Sequence, residues 1–328
     1  MMPACEILTD GPLNTIQDLG RRGYAAEGVS RAGAMDPLAL RLGNALVGND
    51  GGQAALEIAF FPFRVRFLRR VAFAITGAHG AALLDDVVLP PWWGMVGEPG
   101  QELTLQAPLR GVWRYLALEG GVDVPLVLGA RATDLKGCFG GWRGGAVGTG
   151  TRLTTLPAAG PGWGEAGGWG CVLPPDALGP AAGSDTTLTV RVLAAAEYDR
   201  FTDAARDAFT GNPWFVSRTC NRVGYRLEGT PLTFETSVSL FSHGIVPGTV
   251  QVPPNGLPIV QMVDANTCGG YPKIATVIEP DLRLLAQARP GTAIRFEIVT
   301  LEDALAIYER ARAIVSGLSR ALGAVGPR

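Results

Sequence analysis

Val250-Gln251-Val252-Pro253-Pro254-Asn255-Gly256, followed by Asp264-Ala265-Asn266-Thr267-Cys268-Gly269-Gly270-Tyr271-Pro272-Lys273, decides the reading of this chain. The two stretches read as a strand, a tight turn and a second strand over 274–278, with glycines and prolines fixing the backbone between them. The window carries a carboxylate (Asp264), an amide (Gln251), a hydroxyl (Thr267), a phenol (Tyr271) and a cation (Lys273). A segment meant only to pack would not place so many polar groups beside Ile259, Val260, Met262 and Val263. Binding residues sit on turns held by rigid strands, so both readings apply to one segment.

Outward from this window, short β-like runs dominate. They are 64–68, 71–75, 102–106 and 112–118 in the first half, then 187–193, 259–263 and 293–299 in the second. Each is rich in Val, Ile, Phe or Leu and bounded by turn residues. Gly 45 and Pro 24 are scattered as punctuation, a pattern of barrels or sandwiches rather than a doubly wound sheet. The expected fold is therefore mainly β, with a few short helices. Asp36-Pro37 predicts a capped helix start, stopped near Gly48. Further helices are expected over 196–208 and 280–288. A C-terminal one follows Thr300, whose hydroxyl pairs with Asp303 in a capping box. Leu301, Leu305, Tyr308, Ala311, Val315 and Leu318 are spaced as its buried stripe.

With 328 residues, the chain suits one large or two medium domains. The stretch 156–184, crowded with Gly, Ala and Pro, is the linker candidate, and Trp163 and Trp169 suggest that it lies against protein. A weak internal echo supports two related halves. Asp18-Leu19-Gly20-Arg21-Arg22-Gly23-Tyr24 parallels Asn221-Arg222-Val223-Gly224-Tyr225. The expected domains are 1–185 and 186–328.

Several functions are disfavoured. The net charge of −2 comes without a basic stripe, which speaks against a nucleic-acid partner. No apolar run is long enough to span a membrane. Five cysteines without a C-x-x-C pair, and only two histidines, leave no zinc-ligand spacing, so no metal is expected. The odd cysteine count and the absence of a signal peptide predict a reducing cytoplasm. A phosphate-binding G-x-x-x-x-G-K loop, a Rossmann fingerprint and a nucleophile elbow are all absent. Neither Lys136 nor Lys273 is flanked by methionine as a biotin acceptor would be.

Within the opening window, Asp264 is the candidate general base or orienting carboxylate. Lys273 or Tyr271 is placed to stabilise developing negative charge. Gln251 is placed to read an amide. The bland alternatives are a core role for Tyr271 and a solvated one for Lys273. In the first half, Arg21 offers a two-point grip on a carboxylate or phosphate, or else an internal ion pair with Asp18 or Glu57. Asp36 and Asn44 read as capping residues. Arg131, Thr133 and Asp134 either orient a polar ligand or form a local pair at a bulged strand end.

Taken in order, the motifs resemble those of the KipA, or allophanate hydrolase subunit 2, family. They are Gln17-Asp18-Leu19-Gly20-Arg21, Gly33-Ala34-Met35-Asp36, Asn44-Ala45-Leu46-Val47-Gly48-Asn49, Ala55-Leu56-Glu57, Tyr115-Leu116-Ala117 with Gly120-Gly121, Phe139-Gly140-Gly141, Gly224-Tyr225-Arg226-Leu227-Glu228-Gly229 and the opening window. The resemblance implies two cyclophilin-like β-barrel domains. It implies a role as the C component of an ATP-dependent 5-oxoprolinase, which opens the lactam of 5-oxo-L-proline to L-glutamate. Its partners would be a KipI-like B component and a LamB/YcsF-type A component, with ATP used at the level of the complex. On this reading the catalytic set is Asp264, Lys273 and Tyr271. The substrate-binding set is Gln17, Arg21, Arg222, Gln251, Thr267, Gly269 and Gly270. The same fold pair serves as the carboxyltransferase part of biotin-dependent urea carboxylase, so a biotin-using amide carboxylase is the alternative. A non-enzymatic regulator that binds a KipI-like kinase inhibitor is a third. Cys220-Asn221-Arg222-Val223-Gly224, Cys268, and Gly129-Ala130-Arg131-Ala132-Thr133 depart from the family's usual residues and bear on substrate identity.

Overall fold

The computed structural model describes residues 2–158, 167–172, 187–236 and 240–325. Gly160-Pro161-Gly162 and Trp163 of the linker candidate lie outside the described residues. The chain forms two compact units. One comprises Met1–Arg21, Ala32–Leu178 and Ala313–Arg328; the other comprises Arg22–Arg31 and Gly179–Arg312.

The first unit holds strands β1 (Cys5–Ile7), β2 (Thr15–Gln17), β3 (Ala55–Ile58), β4 (Phe63–Phe67), β5 (Val71–His79), β6 (Ala82–Leu84), β7 (Val87–Val88), β8 (Trp93–Gly97), β9 (Glu102–Leu105), β10 (Arg110–Leu118), β11 (Arg152–Leu153) and β12 (Trp169–Gly170). They pair as two six-stranded sheets, in the orders β11-β1-β4-β9-β6-β7 and β12-β8-β5-β10-β3-β2. Alternation along the strands sends Ile7, Val65, Phe67, Leu103 and Leu105 of one sheet and Phe73, Ile75, Leu116 and Leu118 of the other into a single apolar core.

Helix α1 (Pro37–Leu46) packs on the opposite face of β5 and β10. It starts where the sequence predicts: the Asp36 carboxylate accepts from Ala39 N at 3.1 Å. Gly48, at φ +74°, turns the chain out of the helix. Leu40, Leu42 and Leu46 are fully buried, each worth about 1.5–3 kcal/mol. That outweighs the cost of about 1 kcal/mol for Gly43 inside the helix. Gly43 is favoured because a Cβ there would stand 3.0 Å from Thr76 Oγ1 on β5.

The second unit is a closed barrel. Its strands are β13 (Leu188–Ala194), β14 (Trp214–Val216), β15 (Gly224–Glu228), β17 (Thr249–Gln251), β18 (Ile259–Gln261), β20 (Lys273–Val277) and β21 (Ala293–Ile298), in the order β13-β20-β17-β18-β15-β14-β21. A two-stranded ribbon, β16 (His243–Gly244) with β19 (Cys268–Gly269), stands apart from it. Mainly β architecture, few helices and a barrel thus follow the sequence expectation. Strand closure is complete in the second unit, whereas the first distributes its strands over two sheets.

Helix boundaries shift in one instructive case. In place of a continuous helix over 196–208, a short 3-10 turn (Tyr198–Arg200) precedes α2 (Asp203–Gly211). Phe201, fully buried, interrupts the two, and the Thr202 hydroxyl accepts from Ala205 N at 3.1 Å to restart the helix. Helix α3 (Glu279–Ala286) follows β20. Helix α4 (Leu301–Val325) begins with the expected cap, Asp303 N donating to Thr300 Oγ1 at 3.1 Å. Its expected buried stripe is corrected: Leu301 is 63% exposed and Leu305 is 55% exposed. Spacing sets which residues share a helix face, but not whether another element covers that face.

Candidate functional site

A group of buried polar side chains in the second unit forms where β17, β20 and the β16–β19 ribbon meet. Gln251 ends β17 and is paired with Lys273, which begins β20. Gly269 on the ribbon is paired with His243. Val250 and Val260 face each other as core residues, so Gln251 and Gln261 share the opposite face of their strands. Gln261 Nε2 donates to Gln251 Oε1 at 2.9 Å. Gln251 Nε2 is buried with no hydrogen-bond partner. It abuts Gly269, where an added Cβ would stand 2.6 Å from that nitrogen. A buried amide donor without a partner is uncommon and marks Gln251 as the polar group here to account for.

Lys273 is 7% exposed. Its Nζ donates to Gly269 O at 3.2 Å and Tyr271 O at 3.3 Å, and lies 3.5 Å from His243 Nδ1. Burial pushes its pKa below the usual lysine value, and the charge of Glu197 partly offsets that. Glu197 sits just beyond β13. Its Oε2 accepts from Lys273 N at 3.0 Å, and its Oε1 lies 3.7 Å from His243 Nε2. Glu197, His243 and Gln261 were not among the residues the sequence singled out. Their only signal was His243 as one of two histidines.

The other expected residues are placed as follows. Asp264 is 2% exposed and bound at two points by Arg222, with Nε 2.7 Å from Oδ2 and Nη2 2.9 Å from Oδ1. That geometry occupies both oxygens of the expected general base. Tyr271 meets Lys273 through its carbonyl, while the residue is 49% exposed. Thr267 is half-buried, and its carbonyl accepts from Ile245 N at 3.0 Å on the ribbon. Gly270 leaves little room for a side chain: a Cβ would meet Leu240 O at 3.0 Å.

In the first unit, Gln17 is fully buried and donates to Thr15 Oγ1 at 2.9 Å and Thr133 O at 3.2 Å. Arg21 donates to Val127 O at 3.2 Å and to Ala132 O, with its guanidinium 4.5 Å over the Phe139 ring. Asp18 accepts from Gly20 N at 2.8 Å and Arg131 N at 2.5 Å. Glu57 accepts from Met35 N at 2.8 Å and Tyr115 OH at 2.6 Å, and the same hydroxyl accepts from Asp36 N at 2.8 Å. These residues tie the loops of the first unit to its sheets.

The N-termini of α1, α2 and α3 are not built to hold an ATP phosphate. Asp36 already occupies the N-terminus of α1, and acidic residues stand in the first turns of α2 and α3, where they oppose an anion. Among the described residues, no group of His, Cys, Asp or Glu could hold a metal, and no helix is long and apolar enough to cross a membrane.

Residues 27–298 match the model of the carboxyltransferase domain, subdomain A and B. The chain is 42% identical to the C subunit of the 5-oxoprolinase of Escherichia coli, over 92% of its own length and 93% of that protein's. It is 37% identical to the corresponding 5-oxoprolinase C subunit of Haemophilus influenzae, over 88% of this chain and 89% of that one. Urea amidolyase of Lachancea kluyveri is 28% identical over 96% of this chain, which spans only 18% of that protein. Among solved structures, TTHA0988 superposes with a TM-score of 0.79 at 32% identity, over 90% of this chain and 56% of that one. The K. lactis urea amidolyase gives a TM-score of 0.88 at 24% identity, over 97% of this chain and 20% of that one. The barrel and sheets are thus those of a carboxyltransferase-type fold. The chain belongs to the carboxyltransferase domain, subdomain A and B family, and its near full-length relatives are named as the C subunit of 5-oxoprolinase.

Proposed function

We propose that this chain is the C component of an ATP-dependent 5-oxoprolinase, acting in the cytoplasm with a KipI-like B component and a LamB/YcsF-type A component. The complex hydrolyses the lactam of 5-oxo-L-proline to L-glutamate. The observation that carries this reading is the 42% identity to a 5-oxoprolinase C subunit over 92% of this chain and 93% of the relative. Similarity that covers 92% of this chain and 93% of the relative supports a shared role more strongly than a match to one module of a longer protein would.

The second unit supports a small cyclic amide as ligand. Gln251 Nε2, which lacks a partner and lies close against Gly269, would donate to a lactam carbonyl, a strong acceptor, brought up beside that glycine. Lys273 stands beside them, its pKa lowered by burial. Gly270, Thr267 and Tyr271 shape the ribbon around this position. The Arg222–Asp264 pair frames the adjoining strand ends. Gln17 and Arg21 support the loops of the first unit. ATP belongs to the assembled complex, and the residues of this chain supply binding and proton handling for the amide.

Co-expression with the A and B components, followed by an assay of ATP-dependent glutamate release from 5-oxoproline, tests this. Release that requires all three chains is expected. A complex that ignores 5-oxoproline but consumes ATP with urea and biotin establishes the carboxylase alternative, which the urea amidolyase similarity favours over 96% of this chain. Binding to a KipI-like protein without turnover establishes the regulator.

A further inference from the structure

We propose that Lys273 is a positioning residue: its ammonium fastens the β16–β19 ribbon to the barrel and so fixes where Gly269 stands against the Gln251 amide. The proposal rests on the amide-hydrolase reading above, and it replaces the chemical role expected for Lys273 with a mechanical one.

Lys273 belongs to two parts of the second unit at once. Its backbone begins β20 and is paired with Gln251 at a register shift in β17. A carboxylate holds that backbone, since Lys273 N donates to Glu197 Oε2 at 3.0 Å. Its side chain serves the ribbon, which is a separate two-stranded sheet. There Nζ donates to Gly269 O at 3.2 Å and to Tyr271 O at 3.3 Å. Both carbonyls lie on the stretch that leads from β19 back to β20.

The surroundings of Nζ suit a charged donor. An ammonium has three N–H groups and no lone pair. Two of them meet the carbonyls, and the third direction faces His243 Nδ1 at 3.5 Å, on the other ribbon strand. Hydrogen bonds from a charged donor are the stronger kind, and here they tie down backbone oxygens. His243 Nδ1 also lies 3.1 Å from Phe241 O. In one tautomer the ring proton serves that carbonyl; in the other, Nδ1 accepts from Nζ. Both carbonyl bonds to Lys273 stand in either case. Glu197 Oε1, 3.7 Å from His243 Nε2, brings the same carboxylate that holds the Lys273 backbone up to the ribbon.

Gly269 is the residue that this clamp places. His243 is its cross-strand partner, and Lys273 holds its carbonyl. Its backbone passes close against Gln251 Nε2, the amide nitrogen that lacks a partner. A ribbon that shifts moves Gly269 relative to that N–H, and with it the approach open to a ligand carbonyl.

Lys273→Met keeps an apolar stem and removes every donor. Hydrogen exchange of the full chain, read by mass spectrometry, is the first measurement. The ribbon segments 243–245 and 267–271 should exchange roughly tenfold faster in Lys273→Met, with the barrel segments 188–194 and 293–298 unchanged. Lys273→Arg keeps the charge but offers a planar fork in place of a compact ammonium. It should give intermediate exchange, and it carries the test if Lys273→Met does not fold. In the reconstituted complex, Lys273→Met should raise KM for 5-oxoproline roughly tenfold with kcat nearly unchanged, and added methylamine should restore nothing. Unchanged ribbon exchange overturns the proposal whatever the substrate is. A fall in kcat at constant KM that methylamine restores also overturns it, because Lys273 is then a chemical participant. A looser ribbon with an unaltered KM in an active complex overturns the link to Gly269 and the proposal with it. A complex that ignores 5-oxoproline while the ribbon loosens as expected upholds the clamp and overturns only the choice of substrate.

Discussion

Arg222 and Asp264, 42 residues apart, form a two-point ion pair with side chains only 3% exposed on each side. Two charges withdrawn from water are held together by two hydrogen bonds, so losing one strands the other. Asp264→Ala is expected to destabilise the protein by about 3–5 kcal/mol, measured by urea unfolding. The double variant Arg222→Met/Asp264→Leu should recover most of that loss. If Asp264→Ala instead unfolds like the parent protein while losing turnover, Asp264 acts directly on the ligand.

Tyr115 links three parts of the first unit through one hydroxyl, which donates to Glu57 and accepts from Asp36 N. Burial, then the charges of Glu57 and Asp36, hold its pKa well above the ordinary tyrosine value, so it stays a donor throughout the physiological range. Tyr115→Phe leaves the buried Glu57 oxygen and the Asp36 amide without that partner. A loss of about 1–3 kcal/mol is expected in thermal or denaturant unfolding. An unchanged midpoint would show that other contacts suffice there.

Gly269→Ala separates ligand binding from stability. Its backbone does not lie in the left-handed region, so alanine adds no strain of that kind. Its Cβ, however, would stand 2.6 Å from Gln251 Nε2. The expected outcome is a higher KM for 5-oxoproline in the reconstituted complex, with the thermal midpoint nearly unchanged. Gln251→Leu should raise KM in the same direction. Unaltered KM in both variants would remove Gln251 from the binding site.

The five thiols should react in three classes with a disulfide reagent near pH 8. Cys138 and Cys268 are exposed and should react first. Cys171 and Cys220 are half-buried, and desolvation raises both, which lowers their thiolate fraction and slows them. Cys5 is fully buried, pushed up to about 12, and should react only on unfolding. The sign is fixed by the thiolate being the nucleophile: a raised pKa means less thiolate at any pH below it. Peptide mapping of the labelled sites at successive times decides the order.

Local signals were legible where they depend on neighbours in sequence. Asp36-Pro37 and Thr300 with Asp303 fixed helix starts because a cap needs only residues three apart. The eight sequence-predicted strands all exist, with ends displaced by a few residues, because alternation and turn residues are local as well. The stripe on α4 failed for the opposite reason. Leu301 and Leu305 carry the right spacing, but exposure depends on what the rest of the chain lays over them. Within the site, Gln251 and Lys273 were found because they fall in one polar window of the sequence. Glu197 and His243 escaped, since they lie 76 and 30 residues from the lysine they surround.

The amino-acid order by itself determined a strand-rich chain, its helix caps and the family motifs, all of which rest on spacing along the backbone. Only the tertiary structure decided that Asp264 is held by Arg222, that Gln251 keeps an open donor, and that Lys273 sits between a glutamate and a histidine. Burial, partner choice and charge state are set by which distant strands close the barrel together, and residue spacing carries no record of that closure.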